Sequence, residues 1–417
     1  LPEDAARAHA DFLRAGGKTL DDLPAAPDGG WALVVDALFG IGSSSGLQRP
    51  IEGRYRDWIM AINALPAPRL AIDVPSGLDA DTGRAPGTCV RATHTATFIA
   101  LKPGLLTLDG PDYCGEISVH SLAIDATRHV PAVGCRVEPC LFAERLIPRP
   151  RNTHKGMNGD ACVLGGDTGM SGAVLLAARA ALWLGAGRVY ACFLDPAAPG
   201  VDAAHPELML RPSSRLPEHM NALAIGPGLG TGTEAETLLR AAIARDIPLL
   251  LDADALNIVS QHSDLADALR RRRAETVLTP HPAEAGRLLD KRADDIQADR
   301  VAAALELAQV HRAFIVLKGC GSIIATPDGR WFINTTGNAG MASAGMGDVL
   351  SGLVLALLAQ GWSAESALLA AVHLHGAAAD RLVSDGIGPI GLTAGETIPV
   401  ARAVFNAWEK SEKLAQP

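Results

Sequence analysis

The stretch Asn338-Ala339-Gly340-Met341-Ala342-Ser343-Ala344-Gly345-Met346-Gly347-Asp348 runs straight into a segment with apolar residues at Leu350, Leu353, Val354, Leu357 and Leu358. That spacing is one face of a helix. A glycine-rich turn feeding a helix start lets backbone N–H groups approach a phosphate closely. Asp348 has two readings at this point. It is an ordinary helix cap, or it is a base that takes the proton of a substrate hydroxyl. Upstream, Lys318-Gly319-Cys320-Gly321-Ser322 places a cation, two glycines and a hydroxyl after an apolar run. That combination suits the phosphates of a nucleotide; a solvated surface lysine is the plainer alternative.

Working outward, short apolar runs alternate with Ala/Leu-rich helical stretches. Ala32–Val35, Leu70–Ile72 and Thr95–Ile99 read as strands in the first third. Ala161–Leu164, Arg188–Cys192, Ala222–Ile225, Pro248–Leu251, Thr276–Thr279 and Ala313–Leu317 read as strands beyond it. Near-continuous apolar strands separated by helices predict an α/β fold with a parallel sheet covered on both faces. Ser322–Ala325 and Arg330–Ile333 read as a hairpin around Thr326-Pro327-Asp328-Gly329. Gly172 to Leu184 reads as a helix stopped by Gly185-Ala186-Gly187. Val349 to Ala364 is the most apolar stretch. It is shorter than the roughly 20 residues of a membrane span and reads as one buried helix.

The chain has 417 residues, 48% of them hydrophobic and 20% charged. That suits two domains with sizeable cores and excludes wholesale disorder. Net charge is −9 and aromatics are 4%. Both argue against a nucleic-acid or anionic-membrane partner. The seven cysteines are scattered with no C-x-x-C, so reduced thiols in the cytoplasm are expected rather than disulfides or zinc. A homo-oligomer is the general expectation for a soluble protein. Pro131, Pro139, Pro148 and Pro150 lie in a segment without clear period, where a domain boundary is expected.

The residues with chemistry follow the apolar runs. Asp36, Asp73, Gly165-Gly166-Asp167, Gly226–Gly230, Asp252-Ala253-Asp254, Pro280–Glu284 and Lys318-Gly319 all stand at strand ends. Ligands of open α/β sheets bind outside the carboxyl ends of strands, so two sites are expected, one per domain. His281, with Glu284 three residues on, is either a ligand contact or a helix start. Asp36 and Asp73 can hold a cation or orient a polyol with a hydroxyl such as Ser76, or simply cap tight turns.

Taken together these motifs resemble the family of bifunctional NAD(P)H-hydrate repair enzymes. In the second half the resemblance lies in His154-Lys155-Gly156, Met170-Ser171-Gly172-Ala173, Gly226–Gly230, Asp252-Ala253-Asp254, Thr279–Glu284, Leu317-Lys318-Gly319 and Gly340–Asp348. In the first half it lies in Asp36–Gly40, Asp73–Asp79 and Lys102-Pro103-Gly104. The resemblance implies a Rossmann-like three-layer epimerase domain over 1–138 and a linker over 139–150. It implies a ribokinase-like dehydratase domain over 151–412. The small-molecule substrates it implies are hydrated NADH and NADPH, with ADP or ATP, Mg2+ and K+ taking part. Ala173, Gly228, Gly230, His281 and Asp348 would contact the hydrate, with Asp348 catalytic. Lys318, Gly319, Cys320, Gly321, Ser322 and Gly347 would hold the nucleotide. In the first domain Gly40, Gly42, Gly46 and Asp73 would contact the hydrate, and Asp36 and Ser76 the potassium ion.

One departure stands out. The family carries a Gly-Gly-Asp-Gly phosphate loop early in its first domain, and none precedes Asp36 here. The chain also starts without Met. The resemblance therefore implies an incomplete epimerase domain with impaired activity. Met346, between two glycines, is expected to turn away from the phosphates. Two rival readings are a ribokinase-type kinase of a vitamin precursor and a non-catalytic nucleotide-binding scaffold.

Overall fold

A computed structural model describes residues 3–25, 27–28, 30–41 and 50–410. The chain divides into two compact units. The first comprises residues up to 105 and Asp109–Asp125; the second comprises Leu106–Leu108 and residues from 126 onward.

The first unit runs α1 (Glu3–Arg14), β1 (Val34–Asp36), α2 (Gly53–Ala64), β2 (Arg69–Ile72), β3 (His94–Phe98), α3 (Gly110–Cys114) and β4 (Glu116–His120). The four strands pair in parallel in the order β1-β2-β3-β4. Ile59 and Ile62 of α2 close over Val90 as a small core. Parallel pairing aligns the carboxyl ends of β1 and β2, which carry Asp36 and Asp73. β4 escapes the apolar-run criterion because most of it is exposed and its sequence, E-I-S-V-H, alternates.

The second unit begins with β5 (Cys135–Arg136), β6 (Asp160–Gly165), α4 (Ser171–Trp183), β7 (Arg188–Phe193), β8 (Met209–Pro212), β9 (Ala222–Ile225) and α5 (Thr233–Ile243). It continues with β10 (Leu249–Leu251), α6 (Asp254–Gln261), α7 (Ser263–Arg270), β11 (Thr276–Leu278), α8 (Pro282–Leu289), α9 (Ala293–Ala298) and α10 (Arg300–His311). Last come β12 (Phe314–Leu317), β13 (Ile323–Ala325), β14 (Trp331–Ile333), α11 (Met346–Ala359), α12 (Ala364–Ser384) and α13 (Ala394–Glu409). The sheet order is β5-β14-β13-β12-β11-β10-β9-β6-β7-β8. From β12 through β11, β10, β9, β6 and β7 to β8 every pairing is parallel. β13 and β14 form the expected antiparallel hairpin. β5, a two-residue pairing against β14, lies in the proline-bearing segment and has no pattern of its own.

α11 is the central core helix. Every residue from Val349 to Ala359 is buried. It packs against α4 so closely that a Cβ on Gly352 would sit 2.1 Å from the Ala177 carbonyl oxygen. The expectation of one helix through Ala364 is corrected here. α11 stops at Ala359, Gly361 takes the left-handed conformation (φ 82°), and α12 starts afresh with the Ser363 hydroxyl as its cap. Among the described residues no helix is long and apolar enough to cross a membrane. All seven cysteines are free thiols.

Candidate functional site

Parallel pairing brings the loops after β6, β9, β10, β11 and β12 to one edge, and backbone bonds join them. Asp167 N–H donates to Gly228 O (2.6 Å), Asp252 N–H to Ile225 O (3.1 Å) and Lys318 N–H to Pro280 O (2.9 Å). On this frame Lys318 Nζ donates to Asp252 Oδ1 at 2.8 Å and lies 3.9 Å from Glu284 Oε2. Ser351, fully buried in α11, donates to the other Asp252 oxygen at 2.8 Å. The side chain of Asp252 is only 2% exposed, that of Lys318 21%. Burial works against the Lys318 ammonium, but Asp252 and Glu284 outweigh it and hold its pKa above the ordinary value.

Gly345, in the left-handed conformation (φ 89°), is the N-cap of α11, so Asp348 is not. Asp348 sits inside the first turn. A Cβ built on Gly347 would lie 3.4 Å from Lys318 Nζ and 3.7 Å from Asp252 Oδ2. Gly347, the lysine and the carboxylates therefore converge. Burial, and then the like charge of Asp252, raise the Asp348 carboxyl to about 6, with Lys318 opposing. Met346 is buried in the hydrophobic core.

His281 caps α8. Its Nδ1 accepts from Ala283 N–H (3.1 Å) and Glu284 N–H (3.3 Å), while Glu284 Oε2 accepts from His281 N–H (2.8 Å). This is a reciprocal capping box with histidine in the serine's place. With Nδ1 accepting, the ring proton is on Nε2, 3.3 Å from Glu284 Oε1. Burial, helped by Lys318 and Arg287, outweighs Glu284 and Asp252 and holds the imidazole below its ordinary value. Gly228 and Gly230 are both left-handed, with φ 57° and 72°. A Cβ on Gly228 would meet Met170 at 2.7 Å and Ala173 at 3.5 Å; one on Gly230 would meet Asp167 Oδ2 at 2.8 Å. Ala173 thus shares a wall with Gly228, while Gly230 N–H donates to Asp254 Oδ2 (2.9 Å).

In the first unit Asp36 and Ser76 are each 1% exposed. Ser76 Oγ donates to Asp36 Oδ1 at 2.6 Å, Ser76 N–H to Oδ2 at 2.8 Å, and Leu38 N–H to Oδ1 at 3.3 Å. Burial raises the Asp36 carboxyl against these bonds. Asp73 lies in the left-handed region (φ 71°), a strained backbone for aspartate. It accepts from Lys102 Nζ, from Phe98 N–H (3.0 Å) and from Thr97 Oγ1 (3.1 Å). Burial opposes, but Lys102, Phe98 and Thr97 together hold its carboxyl below the ordinary range. Gly40 is an exposed residue past β1; Gly42 and Gly46 lie outside the described residues.

The sites were tested for the groups they are expected to hold. The start of the 14-residue α11, with Gly347 against Lys318, fits a phosphate. Among the described residues no cluster of three His, Cys, Asp or Glu could hold a metal. A magnesium ion here would therefore ride on nucleotide phosphates. Asp36, Ser76 Oγ and the Phe39 carbonyl, 3.3 Å from that hydroxyl, form an all-oxygen set. It fits a hard cation, since the buried carboxylate has no Lys or Arg ion pair among the described residues.

Three residues were under-read. Asp252 stands in the sequence only as a motif member and Glu284 only as the acid of a helix start, yet both are counter-charges of Lys318. Asp252 is 66 positions from Lys318, so no local spacing links them. Ser351 lies within an apolar helix, and nothing in the local pattern marks its bond to Asp252, 99 positions away.

Comparisons with known proteins give the family. The family described as NAD(P)H-hydrate dehydratase matches residues 161–394. The YjeF-related protein N-terminus matches residues 1–104, so that domain is present in this chain. The bifunctional NAD(P)H-hydrate repair enzyme of Leishmania braziliensis is 38% identical over 458 residues, covering 100% of this chain and 80% of its own. The bifunctional NAD(P)H-hydrate repair enzyme Nnr of Escherichia coli is 38% identical over 417 residues, covering 97% and 78%. The ADP/ATP-dependent NAD(P)H-hydrate dehydratase of Bacillus subtilis, co-crystallised with ATP/Mg2+, is 30% identical with a TM-score of 0.57. It covers 66% of this chain, and 99% of its own length is matched. A ribokinase-like superfamily protein of Enterococcus faecalis, 23% identical with a TM-score of 0.58, covers 67% of this chain and 98% of its own and shares the fold. On family match, identity and coverage alike, the chain belongs to the family of bifunctional NAD(P)H-hydrate repair enzymes.

Proposed function

We propose that this chain repairs hydrated nicotinamide cofactors, its second unit removing water from the S hydrate at the expense of ADP or ATP. The convergence of Lys318, Gly347 and Asp348 at the start of α11 carries this reading. Hydroxide is a poor leaving group. Asp348, with its carboxyl near 6, accepts the proton of the hydrate's hydroxyl. That oxygen takes a phosphoryl group from the nucleotide; phosphate then departs in place of hydroxide, and the adjacent ring carbon gives up a proton to form the double bond of NAD(P)H. Lys318 and the N–H groups of the glycine turn bind the phosphates. Magnesium, when bound, neutralises charge on them. Ala173, Gly228, Gly230 and His281 shape the hydrate's side of the pocket.

The first unit is proposed to interconvert the R and S hydrates. Asp36 and Ser76 would hold a potassium ion, and Asp73 with Gly40, Gly42 and Gly46 would contact the hydrate. The free thiols fit the cytoplasm as the working compartment.

The test is return of reduced-nicotinamide absorbance from S hydrate with added ADP. Asp348→Asn is expected to lower kcat by about 10²–10⁴-fold with ADP affinity retained. Recovery that needs no nucleotide, or an Asp348→Asn enzyme at wild-type rate, would overturn the proposal. A phosphorylated product that accumulates without reduced cofactor would favour a kinase.

A further inference from the structure

We propose that Arg300, together with Thr107, is a positioning residue that presets the Lys318–Ser322 turn for a nucleotide polyphosphate and supplies a fixed positive charge beneath it. The inference rests on the assignment of that turn to the nucleotide and says how the turn is made ready for it.

Arg300 opens α10 and is 1% exposed, the largest fully buried side chain among the described residues. Buried cations are normally paired with a carboxylate. This one is satisfied by neutral acceptors. Nε donates to Thr107 Oγ1 (3.1 Å), Nη1 to Gln297 Oε1 (2.6 Å), and Nη2 to Leu317 O (3.2 Å) and Lys318 O (3.3 Å). Burial lowers the guanidinium to about 10, so it stays charged at pH 7.

The peptide plane converts these bonds into a binding surface. In a trans peptide the carbonyl and the following N–H point opposite ways. With Lys318 O drawn down to Arg300, Gly319 N–H is turned the other way. Thr107 does the same further along. Its hydroxyl lies 3.0 Å from Cys320 O and 3.1 Å from Gly321 O, and Leu108 N–H also donates to Cys320 O (3.2 Å). The N–H groups of Gly321 and Ser322 are thereby turned away from Thr107. Successive N–H groups turned to one side make an anion-binding concavity.

Both glycines of the turn answer to this support. A Cβ on Gly319 (φ 144°) would lie 2.8 Å from both Nη atoms of Arg300; one on Gly321 (φ 62°) would lie 2.1 Å from Leu106 O. The missing counter-charge of Arg300 is the polyphosphate on the other side of the turn.

The experiment compares KM for ADP, KM for the hydrate and kcat in Arg300→Met, Arg300→Lys and Thr107→Val. Arg300→Met is expected to raise KM for ADP about tenfold or more, with hydrate KM within about twofold. Arg300→Lys keeps the charge without the fork and should fall between it and wild type. Thr107→Val should raise KM for ADP about threefold and keeps the test open if Arg300→Met does not fold. A merely structural role would instead lower kcat and thermal stability with no bias toward ADP, and that pattern overturns the proposal. Cys320→Trp, a bulky group on an exposed position of the turn, separates the two layers. If it leaves ADP binding intact, the turn is not the nucleotide's site and the functional reading fails. If it abolishes binding while Thr107→Val and either Arg300 variant bind ADP like wild type, this inference alone fails.

Discussion

Both units set carboxylates at the ends of parallel strands and then treat them in opposite ways. In the first, Lys102 closes on Asp73 and holds it below the ordinary carboxylate range. In the second, Lys318 is taken by Asp252 and Glu284, and Asp348 is raised to about 6 by burial first and then by the like charge of Asp252. A carboxylate held low is a permanent anion, suited to binding. One brought near neutrality can take and release a proton. Depth of burial, together with which carboxylate receives the lysine, thus separates a binding group from a base.

Removing each lysine should break the comparison hardest. Lys318→Met strands Asp252, whose side chain is 2% exposed. A buried charge without its partner is expected to cost about 3–5 kcal/mol, read from urea unfolding. Lys102→Met strands Asp73, whose side chain is 16% exposed. Water reaches that group, so the loss should be roughly half or less. Equal losses would show that the two pairs lie in equivalent surroundings.

Acid should separate the units next. His311 and His375 of the second unit are 3% and 4% exposed. Burial lowers both to about 4, with Arg270 adding to the effect on His311. Below the unfolded value of 6.5 the unfolded chain binds protons that the folded one refuses. Stability contributed by these neutral rings is therefore lost as pH falls from 6.5 toward 4. The slope is about 1.4 kcal/mol per pH unit per ring. Asp36 in the first unit works the other way. Its raised carboxyl favours the folded state as pH falls through the carboxylate range. Urea unfolding from pH 7 to 4.5 should show the second unit weakening, and His375→Gln should flatten the slope. An unchanged slope in that variant would remove His375 from the account.

Much of this was legible in the sequence. The strands that carry the sites are apolar runs ended by Asp, Gly or Lys, and the structure moves their limits by one or two residues. Gly345-Met346-Gly347-Asp348 gave the helix start. What escaped reading depends on tertiary placement. β8 and β5 are short partners at the sheet's outer edges; β8 has only the brief apolar run Leu208–Leu210 before Arg211-Pro212, and β5 has none. Asp348 was weighed as an N-cap because sequence does not show that Gly345, in the left-handed conformation, already fills that place. Arg300 follows an ordinary Asp cap, and nothing local says that its guanidinium runs under a turn formed seventeen or more residues later.

The finest contrast lies inside the second site, between Asp252 and Asp348. If Asp348 must be ionised to take the hydroxyl proton, dehydration should fall on the acid side with a midpoint near pH 6. Asp252→Asn removes the like charge that helps to raise that carboxyl, and it frees Lys318 from its 2.8 Å partner to act on Asp348. Both changes favour the carboxylate, so the acid limb should move down by about one pH unit or less. Burial, the larger cause, remains and keeps the midpoint above the ordinary 3.8. A pH profile of kcat with S hydrate and saturating ADP measures this directly. A limb that stays in place would mean that Asp252 serves only to hold Lys318. A wild-type limb already near 4 would mean that water reaches Asp348 freely, and the contrast with Asp73 would vanish.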